Sequence, residues 1–541
     1  MSTLAAQVPS LLARLGHPEL LALGEPNHAE PAFPALRNDL LAVLVEHGFR
    51  SIAVESDRVR GLVADAWVRG GAGSLDDVLA EGFSHGFGAH PANRALLTWM
   101  RAWNEQRPPT DHLAFHGIDA PLEYGPPPSP RPYLEHLHAY LADHLGPDAL
   151  LHRGERITDL LGEDARWSDP DAFHDAACSI GASPDAVALR AVADDLLTAL
   201  HAHTPGLVAA SSPNGWYRAD VHGRAALGLL RYHAQAAQPD PPAVRISRLL
   251  GVRDALIAEN LLAVHAHEHG RGSTLVFAHN GHLQRHPTTW HQPDMDLQWW
   301  GAGAILAPRL RYAFVAGSLG ASAALGLPTP ATGTFEAALP VVDGELVDPR
   351  PFRDAALVRR TDVTPEQGHF PLDATTLADA DALLHVTSAP AALSADELAR
   401  RITALPGVTC LVADEAGSAP EVSWGDRFFH VGDDRRRPFA TIVEHDIPGF
   451  DEASRLDRPD VFRLNVELGR RAFEREFDFA PADLPEHLAE LDAARLDTII
   501  PHPAYGTYGW ASILNPTPAR LPEVDRLLTH ALTRRRRTPA D

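Results

Sequence analysis

LLALGEPNH, residues Leu20–His28, is the segment that most clearly indicates the fold class. Its first part, Leu20–Gly24, is a short apolar run that ends in glycine, which is typical of a buried strand. A helical pattern follows over Pro34–His47, with Gly48 as its stop signal. Ser51–Val54 is a second apolar run of strand length. Strand, helix and strand in this order indicate a parallel sheet covered by helices.

The same alternation continues outward from this stretch. Ala92–Asn104 is a further helix, and further strands are predicted at His112–Ile118, Thr274–Ala278 and Tyr312–Ala316. Between the third and the fourth strand the pattern is only helical. We therefore predict an α/β core with a parallel sheet, interrupted by a large helical insertion or lid at about residues 130–270.

The pattern of predicted helices and strands changes after this core, which predicts a second domain. Thr387–Ala395 is small and contains proline, which suits a linker, and Ser394-x-x-Glu397 offers a capping box for a new helix. We assign residues 1–388 to the α/β domain and 392–541 to a separate α+β domain of typical size. The strands predicted in this second domain are Val408–Ala413, Phe428–Val431, Phe439–Val443, Arg463–Val466 and Ala511–Leu514.

The composition argues against several classes of protein. The chain has 541 residues and a net charge of -24, whereas a nucleic-acid partner normally requires a basic face. All 47 basic residues are arginine, so a Walker A loop, a kinase lysine and a Schiff base have no lysine to use. Two cysteines, Cys178 and Cys410, are too few for a disulfide scaffold or a cysteine zinc site.

The sequence predicts a cytoplasmic protein with no membrane partner. Residues 1–16 lack the basic region and long apolar run of a secretory signal. No apolar stretch reaches the roughly 18 residues that span a bilayer. The oligomeric state is not indicated by any feature of the sequence.

Four predicted strands end beside a histidine or a carboxylate. Ligands of open α/β sheets bind at the carboxyl ends of the strands, so we expect these side chains to share one cleft. A carboxylate holds a histidine in one tautomer and raises its basicity, so that the imidazole takes a proton from water. Arg37, in the first helix, is suited to stabilising an oxyanion. The strand-end residues are Glu25, His28, Glu55, His116, Asp119, His279 and His282.

Each of these residues also has an ordinary structural explanation. The chain has 30 histidines, so pairs arise by chance. Glu55 is placed to pair with Arg58 or Arg60. His116 suits a core histidine with satisfied hydrogen bonds, and Asp119 suits the capping of a turn. Only the coincidence of four strand ends points to a site.

A serine-hydrolase motif is present in form only. GFSHG, residues Gly82–Gly86, matches the Gly-x-Ser-x-Gly elbow, with Ser84 as its nucleophile. That elbow needs a strand before it and a helix after it, whereas Leu75–Glu81 reads as a short helix. We therefore interpret the motif as a glycine-rich loop.

Two patterns suit zinc. HAHEH, residues His265–His269, matches H-x-x-E-H, but it lies in the last turn of a helix, where polar residues usually face solvent. Glu25, His28, His279 and His282 are also a legitimate ligand set. Zinc-dependent hydrolysis therefore stays open as an alternative, although we predict no metal.

The order and spacing of several blocks resemble the erythromycin esterase family. The resemblance covers about residues 10–388, and residues 392–535 resemble a small uncharacterised domain of bacterial proteins. The blocks that carry it are GEPNH (Gly24–His28) with Arg37 nine residues later, IAVE (Ile52–Glu55), LTWMRAWN (Leu97–Asn104), FHGID (Phe115–Asp119), RDALIAEN (Arg253–Asn260) and AHNGH (Ala278–His282).

The resemblance implies ester hydrolysis without a covalent nucleophile, in which a histidine activates water against a lactone carbonyl. It implies that His28 is the general base and that Glu25 orients it or the water. The residues that it implies for binding substrate or polarising the carbonyl are Arg37, His279 and His282.

Glu55 matches a catalytic acid of the family, and Arg58 is our candidate for an arginine near it. His116 and Asp119 join the substrate-binding candidates. We predict a hydrolase of a small-molecule ester or macrolactone, without cofactor or metal, with macrolide inactivation and antibiotic resistance as one such role. The alternative from another class is a non-catalytic binding or sensor protein that uses the same cleft.

Overall fold

Two compact units, Met1–Thr387 and Ser388–Asp541, make up the computed structural model of the chain. Most of the predicted linker, residues 388–392, lies outside the described residues. The structure describes residues 3–122, 127–292, 295–322, 324–340, 344–353, 355–364, 367–387, 393–414, 420–432, 437–458, 461–488, 491–517 and 520–537.

The first unit is built on a seven-stranded sheet. Six of its strands run parallel, and only the short edge strand β8 is antiparallel to its neighbour. This confirms the predicted parallel α/β core. The order across the sheet is β3-β2-β4-β1-β7-β9-β8, and β5 and β6 form a separate hairpin. The strands are β1 (Leu20–Glu25), β2 (Phe49–Asp57), β3 (Ala114–Asp119), β4 (Ser273–His279), β5 (Thr288–Gln292), β6 (Met295–Trp299), β7 (Tyr312–Leu319), β8 (Leu346–Val347) and β9 (Ala382–Val386).

Helices cover both faces of this sheet, because successive side chains of a strand point to opposite faces. In β1, Leu21 and Leu23 belong to one apolar cluster, and Leu20 and Ala22 to another. The helices outside the insertion are α1 (Thr3–Arg14), α2 (Ala32–Val45), α3 (Arg58–Val68), α4 (Leu75–Glu81), α5 (Pro91–Glu105), α12 (Asn280–Leu283), α13 (Ala302–Leu306), α14 (Phe335–Ala338) and α15 (Ala374–Asp379).

The predicted helical insertion joins β3 to β4. Its first helices bury a core of their own around Leu134, Leu189 and the fully buried Trp167. Its last helix returns to the sheet, where Ile257 and Leu261 join the cluster that contains Leu20. The insertion is therefore partly a layer of the core. Its helices are α6 (Arg131–Leu145), α7 (Gly154–Leu161), α8 (Pro184–Ala202), α9 (Thr204–Ala210), α10 (Pro213–Ala236) and α11 (Pro242–Glu268).

The position of β4 sets the geometry of the first unit. Although β4 follows β2 by more than two hundred residues, it lies between β1 and β2. Its register with β1 places Glu25 opposite His279, and its register with β2 places Val54 opposite Phe277. The carboxyl ends of three strands therefore meet at one edge, as parallel packing requires.

The second unit has a six-stranded antiparallel sheet in the order β10-β11-β12-β13-β15-β14, which confirms its α+β character. The predicted capping box of Ser394 and Glu397 is present. Arg463–Val466 is buried along its whole length, because its polar side chains pair inside the unit. The elements are α16 (Ala395–Thr403), β10 (Val408–Val412), β11 (Arg427–Val431), β12 (Ala440–Val443), β13 (Arg463–Glu467), α17 (Arg470–Phe477), α18 (Leu484–His487), β14 (Ile499–Pro501), β15 (Trp510–Leu514) and α19 (Leu521–Arg537).

Across the described ranges, every helix falls short of the length or the apolar character needed to cross a membrane.

Candidate active site

The two histidine-bearing turns that the sequence places far apart lie side by side. Glu25 ends β1, His279 ends β4, and these two residues are register partners. His28 follows in the turn after β1, and its ring centroid is 5.3 Å from that of His279. Glu55, near the end of β2, accepts a hydrogen bond from the backbone N–H of His279 at 2.8 Å. One cluster therefore contains all four residues.

His28 is the most accessible member of this cluster. Its side chain is 25% exposed, whereas those of Glu25 and Glu55 are 5% exposed. Nδ1 lies 2.8 Å from Glu25 Oε1, and Nε2 lies 3.7 Å from Glu55 Oε1. Burial alone would lower the pKa of His28, but the two carboxylates outweigh burial and raise it above its ordinary value. His28 is thus an oriented imidazole with increased basicity.

Glu55 is held in its ionised form. Oε1 accepts from Arg253 Nη2 at 3.0 Å and lies 3.2 Å from His282 Nε2. Burial would raise the pKa of this carboxyl, but the charges of His282, His28 and Arg253 bring it well below its ordinary value. A buried carboxylate with this many charged partners stays ionised at neutral pH.

His282 is clamped between two carboxylates. Nε2 faces Glu55, and Nδ1 lies 2.8 Å from Asp254 Oδ1. Asp254 is fully buried and also accepts from Trp299 Nε1 at 2.7 Å. Burial opposes the charge, but the two acids raise the pKa of His282 to about 10. His282 is therefore an imidazolium at neutral pH, and neither of its nitrogens is free to bind a substrate.

His279 has the opposite character. Its Nδ1 accepts from the backbone N–H of Gly281 at 3.1 Å, so its proton resides on Nε2. Burial and the neighbouring His28 lower its pKa to about 3. Its ring packs edge-on against Phe370 at 4.6 Å. His279 is a neutral hydrogen-bond donor at any physiological pH.

Arg37 reaches the same cavity from α2. It is only 2% exposed, its Nη2 donates to Asn93 Oδ1 at 2.9 Å, and its guanidinium lies 4.9 Å from the ring of Phe277. The cavity encloses about 20 Å³, and its described walls come from strand ends, α2 and the segment 83–93, with no residue of the helical insertion. The lid expected from the insertion is therefore replaced here by Phe83, Phe87, His90 and Asn93.

The structure does not bring Arg58, His116 and Asp119 into contact with His28. Asp119 is linked to Glu55 through Arg253, whose Nη2 lies 2.6 Å from Asp119. Asp119 also lies 3.1 Å from His85 Nε2. His116 points to the end of α11, where its Nε2 lies 2.9 Å from Glu268. Arg58 donates to the hydroxyl of Tyr217 at 3.2 Å. We had expected all three in one cleft, but residues near a strand end point to either face of the sheet.

Three residues of the cluster were not predicted: Arg253 and Asp254 of α11, and His85. Arg253 bridges Glu55 and Asp119, and Asp254 fixes His282. Arg253 and Asp254 belong to the block RDALIAEN, which resembles the family without indicating a role for either residue. Arg253 and Asp254 lie on a helix of the insertion, and nothing in the sequence indicates that this helix returns to the sheet.

The serine of the elbow-like motif has a structural role. Ser84 is buried, its N–H donates to Ser56 Oγ at 2.9 Å, and its Oγ accepts from the N–H of Asp57 at 2.8 Å. The motif follows α4 rather than a strand. These contacts agree with the interpretation as a loop.

The two zinc patterns do not bring their donor atoms together. Glu268 is buried against His116 and Arg271, so the expectation that it faces solvent was wrong. Within the described ranges, neither HAHEH nor the histidine cluster has three donor atoms within 4.8 Å of one another. The group that does is Asp169, Asp171 and Cys178.

The chain was compared with known families and proteins. A family described as "Erythromycin esterase" matches residues 44–360, and a family of unknown function, DUF6194, matches residues 393–540. The first match includes Glu55, Arg253 and His282, and it begins after His28. A curated relative, "Erythromycin esterase type II" of Escherichia coli, is 23% identical over 280 residues, which are 50% of this chain and 62% of that protein.

Solved structures resemble 72% of this chain. A protein from Bacillus cereus is 16% identical with a TM-score of 0.52, over 72% of this chain and 92% of that one. A succinoglycan biosynthesis protein is 16% identical with a TM-score of 0.51, over 72% and 93% of the two chains. At these identities the likeness concerns the fold alone. On the family match, this chain belongs to the erythromycin esterase family, and a DUF6194 domain follows the matching region.

Proposed function

We propose that this chain hydrolyses an ester or a lactone with water activated by His28, without a covalent enzyme intermediate. The observation that supports this most strongly is the setting of His28, whose Nδ1 is 2.8 Å from Glu25 while its side chain is 25% exposed and lines the cavity. An imidazole that is oriented by a carboxylate and open to water is the usual arrangement of a general base.

In this mechanism Glu25 keeps the proton of His28 on Nδ1, so Nε2 carries the lone pair. Nε2 takes a proton from water while the water oxygen bonds to the carbonyl carbon and the carbonyl electrons move to oxygen. The tetrahedral intermediate then collapses, the bond to the alkoxide breaks, and His28 returns its proton to that leaving group. Glu55, 3.7 Å from Nε2, stabilises the imidazolium that forms in between.

Positive charge for the developing oxyanion comes from the same cavity. Arg37 lines it, and its guanidinium is suited to polarise the substrate carbonyl. His279 is neutral and does not line the cavity, but its ring lies 5.3 Å from that of His28, and we assign its Nε2–H as a second hydrogen-bond donor. His282 has both nitrogens engaged, so we assign it the role of holding Glu55 ionised and in place. We propose no metal or other cofactor for this reaction.

The cavity limits the size of the substrate. Its enclosed volume is about 20 Å³, far below the roughly 300–1,000 Å³ of sites that enclose a drug-sized ligand. A macrolactone, suggested by the name of the Escherichia coli relative, would therefore insert only its ester-bearing edge.

The experiment is incubation with erythromycin and with a panel of small esters in ¹⁸O-water, followed by mass spectrometry. We expect a ring-opened product heavier by one water from a lactone, or a separate acid and alcohol from an open-chain ester, with the label in the carboxyl group and no acylated protein in quenched samples. His28→Asn should abolish this conversion. Tight binding without turnover would instead support the sensor alternative, and activity lost on dialysis against a chelator and restored by zinc would contradict the metal-free mechanism.

A further inference from the structure

The cavity at His28 is too small for a whole ester molecule. It encloses about 20 Å³, whereas a single water molecule already needs roughly 10–15 Å³ of such space. The attacking water and the ester bond therefore fill the cavity. The rest of any substrate must lie outside it, on a surface that adjoins the cavity wall.

An open groove with a volume of about 740 Å³ adjoins this cavity. Phe83 and His90 line both the groove and the cavity. The volume of the groove falls within the roughly 300–1,000 Å³ of sites that hold drug-sized ligands. We call it the α4 groove, because α4 contributes Leu79 and Ala80 to its wall.

The three charged side chains of the α4 groove already have partners. Arg94 and Asp76 form an ion pair with each other, and Arg60 donates from Nη1 to the carbonyl of Phe83 at 3.1 Å. Apart from these three and His90, the described wall consists of apolar residues and glycines. The groove therefore suits an uncharged, mainly apolar group.

The wall between the α4 groove and the cavity is tied to Arg37. Asn93 accepts from Arg37 Nη2 at 2.9 Å and donates from Nδ2 to the carbonyl of Phe87 at 2.8 Å. Gly88 packs so closely on α4 that a Cβ at this position would collide with the carbonyl of Leu79. The groove is therefore preformed, and its position is fixed relative to the guanidinium to which we assign the substrate carbonyl.

His90 is the polar side chain at the junction of groove and cavity. It precedes α5, is half-buried, and its ring nitrogens make no hydrogen bond or ion pair with any residue that the structure describes. Burial, followed by the charges of Arg37 and His28, lowers the pKa of His90, so the ring is neutral at neutral pH. A neutral imidazole offers one N–H and one lone pair, and both remain for a ligand.

We propose that the α4 groove holds a large, uncharged and mainly apolar body of the ester substrate, and that His90 hydrogen-bonds to a substrate oxygen beside the ester bond. The inference rests on the proposed hydrolysis at His28. It makes His90 a binding residue and makes the groove the determinant of substrate size. Esters that leave the groove empty lose this contact area and should be the poorer substrates.

The test compares a large lactone, pentadecanolide, with a small one, δ-valerolactone. Ala80→Trp fills the groove from an exposed position on α4. It should lower kcat/KM for pentadecanolide at least about tenfold more than for δ-valerolactone, because the larger ring loses its apolar contacts. Ala209→Trp, at an exposed position on α9, is the matched control and should change neither value. An equal loss for both lactones would overturn the proposal.

His90→Phe tests the hydrogen bond, since it keeps a ring and removes both nitrogens. It should raise KM for a bulky ester about threefold to tenfold with kcat nearly unchanged, as expected when one hydrogen bond that is equal in ground and transition state is lost. An unchanged KM would remove His90 from the proposal. A fall in kcat alone would assign His90 a part in the reaction and contradict its role in binding.

Binding measurements separate a failure of the groove from a failure of the hydrolysis. In the His28→Asn background, equilibrium dialysis should show saturable binding of pentadecanolide, and Ala80→Trp should weaken it at least about tenfold. This result with a parent that is inactive on every ester would contradict the hydrolysis and support the groove. Binding that is absent, or that Ala80→Trp leaves unchanged, would overturn the groove. Ala89→Trp fills the same groove from another exposed position and replaces Ala80→Trp if thermal unfolding shows that variant to be misfolded.

Discussion

Each unit of this protein places an arginine among acids and a histidine, and only one of the two networks is open to solvent. In the first unit, the Glu55 network consists of Arg253, Glu55, Asp119, His282 and Asp254. In the second, the Arg463 network joins Arg463 to Asp451, Ser454, Asn465 and His502 at 2.5–3.2 Å.

The two networks differ in the histidine at their edge. His28 is 25% exposed beside Glu55, and its pKa is raised. His502 is 2% exposed, its Nδ1 accepts from the N–H groups of Ala504 and Tyr505, and burial with the charge of Arg463 lowers its pKa to about 3. A buried charge network is therefore not evidence for a site by itself. One proton-exchanging group must also reach water.

We expect the largest effect from replacing His28. His28→Asn should reduce kcat/KM by about a thousandfold or more, because it removes the general base. The partly exposed position should keep unfolding close to that of the parent. Steady-state kinetics on a substrate found by the mass assay measures the loss, and His502→Asn is the matched control that should retain turnover. A fully active His28→Asn variant would exclude this residue as the base.

Breaking the Arg463 network, which is not open to solvent, should lower the stability of the fold and leave turnover unchanged. Arg463→Ala leaves Asp451 buried without its partner, which should cost about 4 kcal/mol of unfolding free energy. Chemical denaturation measures this loss. The double change Arg463→Met with Asp451→Leu removes both charges and should recover part of it. Loss of turnover in a variant whose first unit remains folded would assign the second unit a part in the reaction.

Asp254→Asn removes one of the two carboxylates that keep His282 protonated. The folded pKa of about 10 is above the unfolded value of roughly 6.5, so this charge stabilises fully below pH 6.5 and its contribution is lost as the pH rises through 10. Asp254→Asn should therefore destabilise by about 3 kcal/mol at pH 6, and the difference from the parent should shrink by pH 10. Urea titrations at pH 6 and pH 10 measure the difference in unfolding free energy between the variant and the parent. An equal loss at both values would contradict a protonated His282.

The smallest effect concerns the start of the second unit. Ser394→Ala removes the side chain that accepts from the N–H of Glu397 at 3.2 Å and should cost about 1 kcal/mol. Ser394→Gly should cost less, since glycine is tolerated at this position. Thermal unfolding compares the two. Turnover should not change in either variant.

Much of this architecture could be predicted because its signals are local. Apolar runs that end in glycine, such as Leu20–Gly24, identify strands, and the capping box at Ser394 follows from four residues. The three-residue strand Ile499–Pro501 was missed, because it is too short for a period and contains proline.

The part of the candidate site that lies at the ends of strands could be predicted from the sequence. Glu25, His28, Glu55 and His279 meet because parallel strands end at one edge. Asp254 was not assigned a role, because its contact with His282 depends on where α11 packs, which is a non-local result. Arg58 was a candidate because it lies near Glu55 in the sequence. Its side chain contacts Tyr217 instead, because the sequence does not determine to which face of the sheet a side chain near a strand end points.

The late arrival of β4 has a consequence for how the chain folds during synthesis. Until residues 273–279 leave the ribosome, β1 has no partner strand, since its neighbours are β4 and β7. The helical insertion, which has a core of its own, is complete before that moment. Non-local strand pairing is slow and leaves an edge exposed to aggregation. The region that holds His28 is therefore synthesised well before the strands that complete its site.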